Sequence, residues 1–354
     1  MLEVWRAGGS NTTATQEEAR RVEAEGWDGQ MFMCSQNLSA DPYVQMGVWA
    51  TATERLKLST GVTNPFTRNL AVTAGAAATV QAVSNGRAVL GIGRGDSALA
   101  YLGHAPVSTK GFETSLKHLQ TLLSGGEIPF SEFGSSGDAP DIHALSLGGR
   151  PEGVKLRWLN PDVPKVPLDV AATGPKVIAM SARIAERVTF SVGAEPERME
   201  WALATARAAQ GDRKVSYGAQ LVVVCHPDMD TAMETAMHMA PPLARFQVIE
   251  GKQVGPADKT MSENLEAIKG GYDMNKHGVH NAKDRIVGGG LTPEFVRNFA
   301  IVGGPDVVIE RLLDLKKMGL ERFVVVGPGF YSGNWGEAAN LFQKEVIPAL
   351  KAAG

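Results

Sequence analysis

The stretch Gly91–Ser97 concentrates residue types that could hold a flat ligand. It reads Gly-Ile-Gly-Arg-Gly-Asp-Ser, so three of its first five residues carry no side chain. A strand end without Cβ atoms lets a planar ring approach the backbone. Arg94 and Asp96 add opposite charges beside it. A flexible loop with a solvated ion pair explains the run equally well, and the spacing is not that of a dinucleotide-binding fingerprint.

A second segment, Thr173-Gly174-Pro175-Lys176, combines the start of a predicted helix with a lysine. Free amides and the helix dipole favour an anion at such a start, although an ordinary helix start with a solvated lysine is the alternative. A third segment, Thr60-Gly61-Val62-Thr63-Asn64-Pro65, ends another predicted strand, where glycine permits close backbone approach or simply serves the turn. Together the three segments predict a glycine platform and a phosphate anchor for a planar, phosphorylated cofactor.

Two histidines, His277 and His280, lie close together in a Gly-rich stretch near the C-terminal third of the chain. Histidine titrates near neutral pH, so they are candidates for a substrate-facing general acid or base. Two solvated loop histidines are the simpler interpretation. No metal site is predicted, because no third ligand stands at a telling spacing and Cys34 and Cys225 form no CxxC pair.

The composition is that of an ordinary globular protein. The chain has 354 residues, 44% hydrophobic and 21% charged, and a net charge of -3. The 35 Lys and Arg residues balance 38 Asp and Glu residues without a basic block, which argues against nucleic-acid binding. No segment approaches the roughly 18 apolar residues of a membrane span. We therefore expect a soluble, cytoplasmic protein without disulfide bonds that acts on a small molecule.

Short apolar runs alternate with helical patterns along the whole chain, which is typical of βα units around a parallel sheet. The predicted strands are residues 2–7, 28–34, 56–60, 87–92, 166–172, 188–192, 217–224 and 322–326. Eight such units favour a closed (β/α)8 TIM barrel, an α/β fold of about 250 residues, over an open sheet. We interpret residues 1–354 as a single domain with insertions near 127–164 and 245–293, the second a lid or substrate wall. The three glycine-containing segments then meet at the C-terminal mouth of the barrel.

The same residues carry a family resemblance. The run Thr60–Asn69 (TGVTNPFTRN), continuing through Ala71-Val72-Thr73 to Gly86–Asp96, resembles the luciferase-like (bacterial luciferase-type) superfamily. Within it, the chain is most similar to the branch of coenzyme F420-dependent methylenetetrahydromethanopterin reductases. Residues 172–176 and 291–305 also resemble that family, so the likeness spans most of the chain outside the insertions.

The resemblance implies a (β/α)8 barrel, often a homodimer, that uses coenzyme F420 or FMN. It implies a non-prolyl cis peptide at Gly61–Val62 behind the ring, and an acidic proton donor at Asp96. The cofactor-binding positions are then Gln36, Thr60, Gly61, Val62, Thr63, Gly93, Gly95, Ser97, Thr173, Gly174, Pro175 and Lys176.

Two departures prevent a full transfer of the family's acid and base residues. Many deazaflavin relatives have an Asp-His pair where this chain has Ser35-Gln36-Asn37. Several relatives also carry a glutamate near the position of Arg6. The substrate and the direction of hydride transfer therefore stay open.

Three functions follow as hypotheses. The first is an oxidoreductase that transfers hydride between coenzyme F420 and a small organic substrate, with Asp96 as the proton partner. The second is an FMN-dependent monooxygenase supplied by a separate flavin reductase. The third is a non-catalytic flavin-binding protein, against which the charged rim and the long second insertion argue.

Overall fold

Eight parallel strands form a closed barrel. The structure is a computed structural model that describes residues 2–10, 15–134, 139–279, 285–287, 290–327 and 336–353. We number the barrel strands β1 (Glu3–Gly8), β2 (Gly29–Phe32), β3 (Lys57–Thr60), β4 (Ala88–Ile92), β5 (Leu168–Ala172), β6 (Arg187–Phe190), β7 (Ser216–Cys225) and β8 (Arg322–Val326). Each strand pairs with the next, and β8 pairs with β1 to close the ring. The predicted TIM barrel is confirmed, with strand ends within about two residues of the predicted ones in most units.

Helices surround this barrel. Those that follow β1 to β7 are Gln16–Ala24, Pro42–Ala50, Leu70–Val83, Thr109–Leu123, Pro175–Ile184, Pro196–Gln210 and Met229–Ala244, and Pro305–Lys317 precedes β8. Shorter or inserted α-helices are Ser97–Ala100, Phe130–Phe133, Lys259–Gly271, Pro293–Phe299, Gly336–Leu341 and Ile347–Ala352. Single turns of 3-10 helix cover Ile142–Ala144, Arg245–Gln247 and Met274–Lys276, and a π-helix covers Phe342–Val346. Within the described ranges, no helix has the length and apolar composition needed to cross a membrane.

Local sequence explains where several of these helices begin. Thr15 accepts a hydrogen bond from the Glu18 amide, which is half of the predicted capping box. Asp41 caps the next helix through the amides of Tyr43 and Val44. The apolar strand β4 is buried at every residue, because helices cover the outside of the barrel and side chains fill its inside.

Two features of the C-terminal half were not predicted. The helix Met229–Ala244 contains Pro241 and Pro242, which normally disfavour a helix interior. The sequence pattern therefore did not predict a helix that continues to Ala244. A short strand, Ile301–Gly303, pairs in parallel with the end of β7 outside the barrel. The segments predicted as insertions supply none of the eight barrel strands. The described strands of the first are a two-residue antiparallel pair, Ile128–Pro129 with Gly153–Val154.

Candidate active site at the barrel mouth

The C-terminal ends of β1 to β6 open into one cavity of about 850 Å³. This is the end of the barrel at which TIM-barrel enzymes bind their ligands. The cavity brings together most of the predicted site residues, namely Gly61, Val62, Gly93, Gly95, Asp96, Ser97, Thr173, Gly174, Pro175, Lys176 and His277. His280 lies outside the described residues.

The ends of β3 and β4 lie against each other on one wall. The peptide bond Gly61–Val62 is cis, as the family resemblance implied. A Cβ on Gly93 would lie 3.1 Å from Val62 Cγ2. Gly95 has a φ of +90°, and a Cβ there would lie 2.5 Å from Leu99 Cδ1. These glycines therefore serve the close packing of the two strand ends as well as leaving backbone on the cavity wall.

The end of β5 forms a second wall. Gly174 precedes the helix Pro175–Ile184, and no side chain caps its first turn. Lys176 in that turn is exposed, and the structure gives it no ion pair within the described residues. Free amides, the helix dipole and this cation together suit a phosphate group.

Buried polar atoms without partners lie on the remaining cavity wall. Gln30 Oε1, Gln45 Oε1, Trp49 Nε1 and Asn64 Nδ2 have no hydrogen-bond partner in the described part of the protein. The Asn64 side-chain oxygen accepts from the amides of Phe66 and Thr67, both at 2.9 Å, so its NH2 group points elsewhere. An unsatisfied buried polar group costs about 1–3 kcal/mol. A cofactor with ring carbonyls, hydroxyls and a phosphate fits such a lining.

Three predicted cofactor residues are not on the cavity wall. Thr60 and Thr63 are completely buried. The hydroxyl of Thr60 donates to the Gly91 carbonyl, and that of Thr63 accepts from the Cys34 thiol. The Gln36 amide donates to the Ala98 carbonyl at 2.7 Å, which ties the loop after β2 to the loop after β4. Their observed contacts are with the protein itself.

Charged groups at the mouth are paired across the chain. Asp96 forms an ion pair with Arg245, and Arg94 forms one with Glu250. The Arg245 guanidinium also lies 4.9 Å from the centre of the Tyr272 ring. Sequence reasoning missed Arg245, because nothing local to Asp96 reveals a partner about 150 residues later in the chain.

His277 is buried beside this ion pair. Its Nδ1 is 2.7 Å from the Tyr272 hydroxyl, and the ring is 9% exposed. Burial is the largest influence and lowers the pKa of His277 from 6.5 to about 4, although the charge of Asp96 raises it. The charges of Arg245 and Arg285 lower it further. His277 is therefore neutral at physiological pH.

The family model of luciferase-like monooxygenases matches residues 3–322. The chain belongs to this family. Membership of the luciferase-like family, which the glycine-containing segments indicated, is thereby confirmed.

Members of the family include proteins similar to this chain over most of its length. A 5,10-methylenetetrahydromethanopterin reductase from Methanolobus tindarius is 25% identical over 341 residues, which cover 93% of this chain and 94% of the reductase. An F420-dependent glucose-6-phosphate dehydrogenase from Mycolicibacterium fortuitum is 26% identical and covers 86% of this chain and 83% of its own length. Both relatives are redox enzymes by name.

A solved structure shows the same fold. The coenzyme F420-dependent tetrahydromethanopterin reductase from Methanopyrus kandleri superposes with a TM-score of 0.71 at 20% identity. The superposition covers 98% of this chain and 99% of that one. Because nearly all of both chains align, the barrel is retained over its full length.

Proposed function

We propose that the protein is an oxidoreductase that transfers hydride between coenzyme F420, a deazaflavin, and a small organic substrate. The observation that carries the proposal is the single cavity that joins the glycine segments of β3 and β4 to the helix start at Lys176. A ligand made of a planar ring and a phosphorylated tail requires a site for the ring and a site for the phosphate in the same cavity. The similarity to F420-dependent glucose-6-phosphate dehydrogenases supports a deazaflavin as that ligand.

The residues of the cavity have distinct parts in this proposal. The backbone of Gly61–Val62 and of Gly93–Ser97 lines the ring site, and Asn64 Nδ2 and Gln30 Oε1 are the unpartnered polar atoms available to ring substituents. Thr173–Lys176 holds the phosphate. When bound, a deazaflavin supplies two-electron hydride chemistry, and the protein supplies orientation and a proton partner.

The assignment of Asp96 as the proton partner stays a prediction. Its carboxylate forms an ion pair with the Arg245 guanidinium. In the proposed function Asp96 lines the cavity beside the ring site, where it either exchanges the proton directly or acts on a neighbouring group through its charge.

Titration of the purified protein by fluorescence tests the cofactor. We expect coenzyme F420 to bind at least tenfold more tightly than oxidised or reduced FMN. Lys176→Met should weaken F420 binding by about tenfold, since one charge-assisted contact to a phosphate contributes about 1.5 kcal/mol. The same variant should bind the phosphate-free deazaflavin chromophore like the wild type. Lys214→Met, at an exposed lysine that does not line the cavity, is the control.

An FMN-dependent monooxygenase is the second candidate, because the matching family model describes luciferase-like monooxygenases. It predicts a preference for reduced FMN and consumption of oxygen in the presence of a flavin reductase. Binding of neither cofactor would rule out both candidates. Cofactor binding without turnover of any substrate would favour the third hypothesis, a non-catalytic binding protein.

A homodimer is also proposed. Val44 is 68% exposed and Val72 54%, and they lie on the helices Pro42–Ala50 and Leu70–Val83, which contact each other. Exposed apolar side chains on two helices that pack together support an interface between two copies. Sedimentation equilibrium should give a dimer for the wild type and a lower association constant for Val44→Glu. A monomeric wild type would contradict the proposal.

A further inference from the structure

The segment Tyr272–Gly278 lies across the mouth of the barrel and is held there by several contacts. The Tyr101 hydroxyl, from the loop after β4, donates to the Met274 carbonyl at 2.7 Å. A Cβ on Gly278 would lie 2.8 Å from Leu38 Cδ2 in the loop after β2. Arg285 Nε donates to the Lys276 carbonyl at 3.1 Å. The segment is thus fixed to two of the loops that form the cavity.

These contacts hold the His277 ring on the cavity wall with one nitrogen engaged. Nδ1 contacts the Tyr272 hydroxyl at 2.7 Å. Among the residues that the structure describes, the ring's hydrogen bond is this one at Nδ1, and His277 lines the cavity. One ring nitrogen is therefore oriented by the protein and the other is left for a ligand, as in a general acid or base.

The surroundings favour an uncharged ligand at this nitrogen. The nearby carboxylate of Asp96 is paired with Arg245, and the Arg94 guanidinium is paired with Glu250. Ser35 and Ser97, which also line the cavity, are neutral and hydrogen-bonded to each other at 3.2 Å. A charged substrate group would have to displace one of these pairs, whereas a hydroxyl or carbonyl oxygen would not.

We propose that His277 exchanges a proton with the oxygen of an uncharged alcohol or of the corresponding carbonyl compound. This inference rests on the proposed hydride transfer and names the substrate class and the proton-transfer residue of the same site. Tyr272 and Asp96 are positioning residues. Tyr272 orients the ring through Nδ1, and the Asp96 charge stabilises the protonated ring.

The step balances in atoms and electrons. In the oxidative direction the carbinol C–H bond breaks, and its hydrogen leaves with the electron pair as hydride to the oxidised deazaflavin. The O–H bond breaks as its proton moves to Nε2, and its electron pair becomes the second C–O bond. The products are a carbonyl compound, the reduced deazaflavin and an imidazolium. The reductive direction returns the same hydride and proton to the carbonyl carbon and oxygen.

The neutral state of the ring suits this role. Burial keeps His277 unprotonated at neutral pH, and in the tautomer that donates Nδ1–H to the Tyr272 hydroxyl oxygen, Nε2 can accept a proton. The groups whose charges act on the ring are Asp96 from the loop after β4, Arg245 from its 3-10 turn and Arg285 from beyond the segment. Asp96 raises the pKa of His277, whereas the two arginines lower it. Asp96 is therefore the group that stabilises the imidazolium formed in this step.

The test compares the wild type, His277→Asn, His277→Gln and Asp96→Asn. His104→Asn is the matched control, since His104 is exposed, packs on Phe66 and does not line the cavity. Binding of coenzyme F420 is measured first and should agree within about threefold in all five proteins. With a panel of uncharged secondary alcohols and ketones, kcat should then fall about 100- to 10,000-fold in both His277 variants and stay unchanged in His104→Asn.

Asp96→Asn should move the low-pH limb of the kcat profile to lower pH, because the Asp96 charge raises the pKa of His277. A readout independent of turnover is the 15N shift of His277 Nε2, assigned by its loss in His277→Asn. Adding a ketone to the F420-loaded protein should shift this resonance and leave that of His104 in place.

Each result decides the inference. A kcat within threefold of wild type in a folded His277 variant that binds cofactor would overturn it, as would an Nε2 resonance that ignores the ketone. Failure of the wild type to turn over any alcohol or ketone, although F420 binds, would overturn it and leave the cofactor assignment intact. Failure to bind F420 would instead overturn the proposed function on which it rests. If one substituted protein does not fold, as seen by circular dichroism, the other variant and the wild-type resonance decide.

Discussion

The barrel holds two groups of charged side chains at its opposite ends, and they are built differently. The floor cluster lies at the N-terminal ends of the strands and comprises Glu3, Lys57, Asp169, Arg187 and Arg322. The mouth cluster comprises Asp96, Arg245, Tyr272 and His277. Asp169 in the floor cluster contacts Arg322 at 3.0 Å, Arg187 at 3.4 Å and Thr189 at 2.7 Å. Asp96 contacts one side chain, Arg245, among the residues that the structure describes.

The difference separates a network that stabilises the fold from one to which we assign a part in proton transfer. In the floor cluster each carboxylate has several partners, so no charge there is left for a ligand. In the mouth cluster Asp96 has one ion-pair partner among the described residues, and the His277 ring has its hydrogen bond at Nδ1. Removal of a charge should therefore cost stability at the floor, whereas at the mouth it should mainly change ligand binding and proton transfer.

The largest expected effect is that of Asp169→Asn. Arg322 is completely buried, and this substitution leaves its charge with an uncompensated desolvation cost. We expect the free energy of unfolding to fall by about 3–5 kcal/mol. Urea denaturation followed by circular dichroism measures it, with the exposed Asp212→Asn as control. A loss below about 1 kcal/mol would remove the distinction between the two clusters.

The next largest effect should be a difference between the two clusters in the pH range over which they affect stability. His277 has a pKa of about 4 in the folded protein against 6.5 ordinarily. As pH falls from 6.5 to 4, the unfolded chain gains a proton that the folded chain does not, so stability falls by up to about 3 kcal/mol and then levels off. His277→Gln should abolish this decline in urea titrations at successive pH values. If the free energy of unfolding had the same pH dependence in the wild type and in His277→Gln, the low pKa of His277 would be contradicted.

Glu3 in the floor cluster should act in a lower pH window. Burial opposes its ionisation, but Arg187 and Lys57 outweigh burial and lower its pKa from 4.5 to about 2. Its contribution is therefore present above pH 4.5 and lost as pH falls towards 2. The difference between wild type and Glu3→Gln should shrink across that window. A difference that does not change between pH 5 and 2 would show that Glu3 is not ion-paired as described.

The smallest effect on stability should be that of Arg245→Met at the mouth. The Asp96–Arg245 pair is largely buried but borders the cavity, so we expect a smaller loss than for Asp169→Asn, about 1–3 kcal/mol in free energy of unfolding. The pKa of His277 should nevertheless rise, because the Arg245 charge lowers it and the Asp96 charge would no longer be neutralised. NMR titration of the ring measures the change. A fall in this pKa would contradict the arrangement of the mouth cluster.

The sequence predicts the barrel well because its signals are local. Apolar runs such as Ala88–Ile92 and capping residues such as Asp41 determine where strands and helices lie. The cavity walls formed by Gly93–Asp96 and Thr173–Lys176 could be predicted for the same reason, since strand ends meet at one mouth.

The partners within the mouth cluster could not be predicted in this way. Arg245 and Tyr272 lie far along the chain from Asp96, and a single sequence does not encode which distant side chains meet. The helix that leads to Arg245 was itself hidden by Pro241 and Pro242. Tyr272 stands directly before Asp273 and five residues before His277, and this proximity was the one signal of its contact.

The short strand Ile301–Gly303 has a consequence for how this enzyme can be varied. It pairs with residues 223–225 of β7, and the His226 amide donates to the Gly303 carbonyl at 2.9 Å. The chain therefore leaves the barrel and returns to it at adjacent positions. Backbone hydrogen bonds hold the two ends of the intervening segment, 226–300, next to each other. Segment 226–300 could therefore be exchanged as a unit. It carries Arg245, Tyr272 and His277, so its exchange for one of another length would replace three of the four residues of the mouth cluster, while β1 to β6 keep the walls that we assign to the cofactor.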